Sequence, residues 1–361
     1  IFNSRTGIND TNQFSVGQDI TRSADPANGS IQKLYAEDTN LIIFQEDKVS
    51  RALIDKDAIY SAEGNGTVTS SNLVIGQIVA YAGEYGISTD PFSFAVYGYR
   101  KYFTDRKRGC VLRLSADGIT EISSYGMHDF FRDELANATK IIGGWDSHNK
   151  NYIVSLQNSN TYNTLAFDES VLGWTSFFNY KPDFLTSLRN KFYSFKKTVN
   201  TGEGLWLQNS GNYSEFYNVF FDSTVTVILN KEPSLVKNFK TINYEGADGW
   251  QMSEMFTDYY SATNTSGGDT ASSVGKFTLQ TTLSSLEADM FVNNFKRKEN
   301  KFFANLINTS SSEGGEILWG ASSSGVKGFW STVKLKLVNS DYPTTKKELF
   351  AVSSDIVESS Y

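Results

Sequence analysis

Residues 101–122 read KYFTDRKRGCVLRLSADGITEI. Lys101, Tyr102 and Phe103 begin an extended run, Asp105 to Gly109 form a polar turn, and Cys110 to Leu114 form a second run. Successive side chains of an extended chain point to opposite faces, so Val111 and Arg113 share one face and Cys110, Leu112 and Leu114 the other. Ala116-Asp117-Gly118 is a turn signal, because Gly supplies the positive φ that tight hairpins need. Ile119 to Ile122 is then a third strand. Short strands joined by tight polar turns make an antiparallel meander.

The same grammar extends in both directions. Upstream, Leu41 to Phe44 turns through Gln45 to Lys48 into Val49 to Ile54. Downstream, Ile141 to Trp145 turns through Asp146 to Lys150 into Tyr152 to Leu156. Leu165 to Phe167 and Trp174 to Phe178 flank the loop Asp168 to Gly173. Phe184 to Leu188 turns at Arg189-Asn190 into Phe192 to Phe195, and Gly204 to Gln208 adds a further strand. Sheets of three or four short strands recurring at roughly 40–60 residues have the spacing of propeller blades. The repeat is degenerate, and Trp145-Asp146, the dipeptide of one repeat family, reads equally well as a strand end and a turn. Residues 31–210 are expected to be propeller-like, with a sandwich as the alternative.

Beyond residue 215 the pattern changes. Asp222 to Leu229 alternates, with Thr224 and Thr226 on one face and Val225 and Val227 on the other. Phe239 to Tyr244, Lys276 to Thr282, Phe302 to Asn308, Phe329 to Leu337 and Glu348 to Ser353 read as further strands. Within WSTVKLKLVN, Val333, Leu335 and Leu337 point inward, and Lys334 and Lys336 outward, where lysines discourage edge-to-edge pairing. Asn264 to Gly275 and Thr309 to Gly325 read as long loops rich in Ser, Thr and Gly. Helix signals are confined to Met127 to Asn137 and, more weakly, Leu283 to Phe295. The expected fold class is therefore all-β: a propeller-like N-terminal region over residues 1–212, then an antiparallel β-sandwich of jelly-roll character over residues 213–361.

Composition narrows the function. The 361 residues include 26 Phe, 19 Tyr and 6 Trp, which favour half-buried pleated surfaces, against only 5 Pro. A lone cysteine, Cys110, excludes an internal disulfide and any multi-cysteine metal site, and reads as a small buried hydrophobe. Folding needs no oxidising compartment, which suits synthesis in a cytoplasm. A net charge of −7 opposes broad binding of nucleic acid, and no apolar run reaches the length of a membrane span. The chain opens at Ile1 with no signal-peptide pattern, which gives the expectation of a fragment or processed product of a longer protein.

Chemistry-bearing constellations are few. His128 sits among aromatics in the expected helix and His148 in a turn, neither with partners at ligand or triad spacing. Phosphate loops, dinucleotide fingerprints, EF-hand loops and the Gly-x-Ser-x-Gly elbow do not occur. Arg100-Lys101 and Arg106-Lys107-Arg108, interleaved with Tyr99, Tyr102 and Phe103, could stack on bases, but a solvated hairpin tip explains them better. Asn28-Gly29-Ser30 and Asn65-Gly66-Thr67 are glycosylation sequons that carry no weight without a secretion signal. No catalytic, cofactor-binding or metal-binding residue is assigned.

Several stretches together resemble a family. They are Tyr85-Gly86-Ile87-Ser88 to Phe94, Gly98-Tyr99-Arg100-Lys101-Tyr102-Phe103-Thr104-Asp105 to Arg113-Leu114-Ser115, and Ile122-Ser123 to Tyr125-Gly126-Met127. Ala166-Phe167-Asp168-Glu169 with Gly173-Trp174, and Phe221-Asp222-Ser223-Thr224 to Asn243-Tyr244-Glu245-Gly246, complete the set. Over residues 80–250 the chain resembles tail and muzzle-type structural proteins of crAss-like phages and related virion proteins of marine tailed phages. That resemblance implies a non-enzyme located in the virion tail, as a muzzle, hub or fibre adaptor. It implies a ring around the DNA exit channel, built by cyclic self-association, with other virion tail proteins as partners. Contact with ejected DNA would be passive, and an acidic wall would repel phosphates and let DNA slide during ejection. The alternatives are a receptor- or glycan-binding tail-tip module, for which aromatics near Trp250, Tyr259 and Tyr260 would serve, and then a glycan-degrading enzyme using some carboxylate pair.

Overall fold

The computed structural model describes residues 22–38, 40–60, 66–198, 202–258, 261–263, 277–279, 295–308 and 325–359. It divides into two compact units, Ile1–Ser210 and Gly211–Tyr361. Both are built almost entirely from antiparallel sheets.

The first unit contains four consecutive meanders. The first sheet is β1 (Ile31–Glu37), β2 (Asn40–Gln45), β3 (Val49–Tyr60) and β4 (Gly66–Ala80). The second is β5 (Ala95–Tyr97), β6 (Arg100–Asp105), β7 (Cys110–Ser115) and β8 (Gly118–Glu121). After the helix α1 (His128–Asn137) comes the third, β9 (Lys140–Asp146), β10 (Asn151–Gln157), β11 (Tyr162–Asp168) and β12 (Gly173–Phe178). The fourth has three strands, β13 (Phe184–Leu188), β14 (Lys191–Thr198) and β15 (Gly202–Leu207). Within each sheet, spatial order follows sequence order, as short turns dictate.

The sheets pack face on face. One side of the second sheet, with Phe103, Cys110, Leu112 and Leu114, shares a core with Ile42, Phe44 and Val49 of the first. Its other side, with Tyr102 and Val111, shares a core with α1 and with Trp145, Tyr152, Leu165 and Phe167 of the third. The alternation expected for β7 holds, but both faces are buried rather than one. A strand covered on both sides reads as a continuous apolar run, with Arg113 the exception. β9 touches both β5 and β13, so the first strands of three successive sheets converge. Gly143 and Gly144 in β9 permit this, because a Cβ on Gly144 would lie 2.6 Å from Leu185 Cβ. Among the described residues the stack does not close into a propeller. β1 and β5 do not stand out as strands in the sequence, β1 because Gln32 and Lys33 interrupt its apolar residues and β5 because it has only three residues.

In the second unit β16 (Glu215–Phe216) and β17 (Val219–Phe220) form a small hairpin. β18 (Ser223–Leu229), β19 (Lys237–Phe239), β20 (Thr241–Gly246), β21 (Gln251–Thr257) and β22 (Ser261–Thr263) follow. The remaining strands are β23 (Phe277–Leu279), β24 (Lys296–Lys298), β25 (Lys301–Asn308), β26 (Val326–Gly328), β27 (Ser331–Leu337), β28 (Leu349–Ser353) and β29 (Ile356–Glu358). One sheet runs β18-β27-β21-β22, a second β23-β25-β20-β28 with β24 also on β25, and a third β26-β19-β29. Met252, Met255, Val333, Leu335 and Leu337 of the first meet Ile242, Tyr244, Phe302 and Leu306 of the second in one core. Val333, Leu335 and Leu337 point inward as expected, while Lys334 pairs with Glu254 at 3.1 Å and Lys336 with Asp222 at 2.7 Å. The stretches 264–275 and 283–294 lie outside the described residues, as does 309–324.

Candidate functional site

The basic hairpin tip is the sequence feature most suggestive of a polyanion site, and the structure neutralises it. Arg106 reaches Asp90 at 2.5 Å, Lys107 reaches Asp47 at 2.8 Å and Glu46 at 3.3 Å, and Arg108 reaches Asp105 at 2.9 Å. Asp105 is the hub. Fully buried, it accepts hydrogen bonds from the Gly86 N–H, the Ser88 hydroxyl and the Arg108 backbone and guanidinium. Burial pushes the Asp90 carboxyl up, and Arg106 pulls it partly back. Lys101, also buried, pairs with Glu37. The cluster therefore clamps the second sheet to the first, and its charges are already matched.

His128 is mostly exposed at the start of α1, and His148 is exposed in the β9–β10 turn. Cys110 is buried, and burial pushes its thiol up, away from the reactive thiolate. Trp250 lies 6% exposed in the core of the second unit, so it offers no aromatic platform, which removes it as a support for glycan stacking. Tyr259 and Tyr260 lie outside the described residues. No cluster of three or more His, Cys, Asp or Glu capable of holding a metal occurs among the described residues. No helix among them is long and apolar enough to cross a membrane.

Two arrangements were not legible in the sequence. The first is a buried polar node. Glu169, in the turn after β11, accepts a hydrogen bond from Tyr102 Oη at 2.7 Å and one from Arg113 at 2.8 Å. Burial, reinforced by the bond to Glu169, raises the Tyr102 phenol. An acidic residue in the turn after an apolar strand carries no signal that it will fold back onto a tyrosine and an arginine of another sheet.

The second is a cavity of about 500 Å³ where the first strands converge. Tyr97 from the end of β5, Trp145 from β9, Ser147 and Lys150 from the β9–β10 turn, Ser187 from β13 and Arg189 from the β13–β14 turn line it. Tyr97 stacks on Trp145 with ring centroids 4.3 Å apart, Trp145 on Tyr102 at 5.4 Å, and Tyr102 on Tyr152 at 5.0 Å. Asp146 caps the adjoining turn by accepting from the His148 and Asn149 N–H groups and from Asn209. Trp145-Asp146 is thus a strand end and a turn that also walls a cavity. In the second unit a cavity of similar size is lined by Ile228, Lys237, Phe239, Asp355 and Ile356, and the buried Lys237 ammonium donates to the Glu232 carbonyl at 2.8 Å.

Comparison with known proteins gives matches in both units. Residues 21–198 match the crassvirus muzzle protein family, and residues 211–309 match the crassvirus muzzle protein C-terminal domain. The two matched segments fall on the two compact units. A curated relative, the muzzle protein of Bacteroides phage crAss001, is 21% identical over 271 residues, covering 69% of this chain. The chain spans 19% of that protein's length. On these matches, the chain belongs to the crassvirus muzzle protein family.

Proposed function

We propose that this chain is a structural, non-enzymatic component of a phage tail, repeated in a ring around the channel through which DNA leaves the virion. One observation carries the assembly part of this reading. The fourth sheet buries Leu185 and Phe192 on its inner face and leaves Phe184, Leu188, Phe195, Leu205 and Leu207 substantially exposed. The cross-strand pairs Phe184↔Phe195 and Phe195↔Leu205 place three of these in one row. A contiguous apolar face of this kind marks an interaction surface. Each earlier sheet of the stack meets the next through such a face, so a further sheet is the natural cover, in a propeller-like first unit. The second unit, with two sheets around one core, reads as a sandwich. A net charge of −7 suits a wall that DNA slides past.

Cryo-electron microscopy of the intact particle tests the proposal. The expected result is density for this chain in a ring on the tail axis, with the Phe195–Leu205 face covered by protein and an acidic lumen. Absence of the chain from particles, or a solvent-exposed Phe195–Leu205 face in the assembled ring, would overturn it.

A further inference from the structure

In the sheet β18-β27-β21-β22, β27 lies inside, so Lys334 and Lys336 guard no edge. The edges are β22, three residues long, and β18, seven residues long. Shortness and charged side chains are the usual protections of an edge strand, whose unpaired N–H and C=O groups invite another strand. β18 has neither: Ser223-Thr224-Val225-Thr226-Val227-Ile228-Leu229 holds no ionisable side chain. Among the described residues it pairs with β27 alone. The core is also incomplete on this side. Val225 stands opposite Leu335 and Val227 opposite Val333, so both valines lie on the core-facing side of the sheet. Leu335 and Val333 are fully buried, yet Val225 is 36% exposed. One more strand beside β18 would cover Val225 and pair the outward backbone groups.

The sequence of β18 fits a second β18. Laid antiparallel about Thr226, the strand sets Val225 against the partner's Val227 and Thr224 against the partner's Ile228. Opposed β-branched pairs of this kind stabilise antiparallel sheets. Directly opposed residues share a face, so the valines of both copies stay on the core-facing side and cover one another. No like charges meet, because Asp222, the charged residue next to the strand, falls opposite Asn230.

We propose that two copies of this chain associate through β18, paired antiparallel with β18 of the second copy about a twofold axis at Thr226, so that their sheets become one. A twofold contact cannot join neighbours in a cyclic ring, whose contacts are head-to-tail. The pair therefore belongs to the free protein before assembly, where it covers an edge that would otherwise recruit other strands. It is independent of the ring placement proposed above, and either can fail alone.

Sedimentation velocity of the purified full chain, from about 1 to about 100 µM, tests the proposal. Seven residues make a small contact, so the expected result is a monomer–dimer equilibrium with a dissociation constant on the order of 10 µM. Thr226→Lys, at an exposed position that faces its own copy across the axis, should weaken the dimer at least about tenfold, with the circular dichroism spectrum unchanged. Oxidative crosslinking reads the register. Thr226→Cys should crosslink to itself, whereas two copies of Thr224→Cys stand about 14 Å apart along the paired strands and should not. Cys110 is buried and supplies no crosslink of its own. Association through the fourth sheet would crosslink neither variant. A monomer at about 100 µM, undiminished association of Thr226→Lys, or absent or equal crosslinking of the two cysteine variants overturns the proposal. Should Thr226→Lys not fold, the crosslinking decides alone.

Discussion

Gly143 in β9 lies against Ser93 so closely that a Cβ on it would sit 1.9 Å from the Ser93 carbonyl oxygen. That carbonyl also accepts the Tyr152 hydroxyl at 2.7 Å, and Ser93 is fully buried. Gly143→Ala must displace the Pro91–Ser93 turn and break the Tyr152 bond. The expected loss is about 3 kcal/mol, from overpacking plus one buried hydrogen bond. Gly173→Ala, where the nearest atom lies 3.8 Å away, should change stability by less than about 1 kcal/mol. Urea denaturation of the two variants reads the contrast, and equal midpoints would show that the sheets are not packed as closely as described.

Cys110 should be unreactive in the folded protein. It is buried in the core between the first and second sheets, and burial pushes its thiol up. With one cysteine in the chain, a thiol reagent should titrate nothing under native conditions and a single thiol in denaturant. Labelling at the rate of a free thiol in the native state would place Cys110 at an opening edge.

Much of the first unit is legible from sequence because its contacts within each sheet are local. The 101–122 meander and the turns after Phe44, Trp145 and Leu188 stand where the residues put them. What could not be read was how sheets face one another. The alternation puts Arg113 on one face with Val111 but does not say what covers that face; the third sheet does, bringing Glu169 to the guanidinium. The cavity is illegible for the same reason, since Tyr97, Trp145 and Arg189 come from three different sheets. Trp250 is a further case: its burial comes from the meeting of two sheets, which the residues around it do not announce.

Asp90 gives the acid range a definite slope. Its native pKa lies above the ordinary 3.8, chiefly through burial. Between 3.8 and the native value, the folded state binds more protons than the unfolded chain, so stability falls as pH rises across that interval. Below it both states are protonated, the slope vanishes and the relative stability is at its highest. The Asp90→Asn variant does not titrate there. Wild-type stability relative to that variant should therefore decline from below pH 3.8 upward and level off above the native pKa. Urea denaturation at a series of pH values measures it, and a difference that rises with pH would mean that Arg106 outweighs burial.

Glu169 ties the second and third sheets together by accepting from both Tyr102 and Arg113. Removing one partner of a nearly buried ion pair leaves the other charge stranded, so Glu169→Ala should cost about 2–4 kcal/mol. Tyr102→Phe removes a single bond while Arg113 keeps its carboxylate, and should cost about 1–2 kcal/mol. The two effects share one interaction and should not add. In the Glu169→Ala background, Tyr102→Phe should cost under about 0.5 kcal/mol. Arg113→Met in that background should restore part of the loss, because it removes the stranded cation. A double-mutant cycle by chemical denaturation decides, and strict additivity of the Tyr102 and Glu169 effects would show that the bond contributes nothing to holding the sheets together.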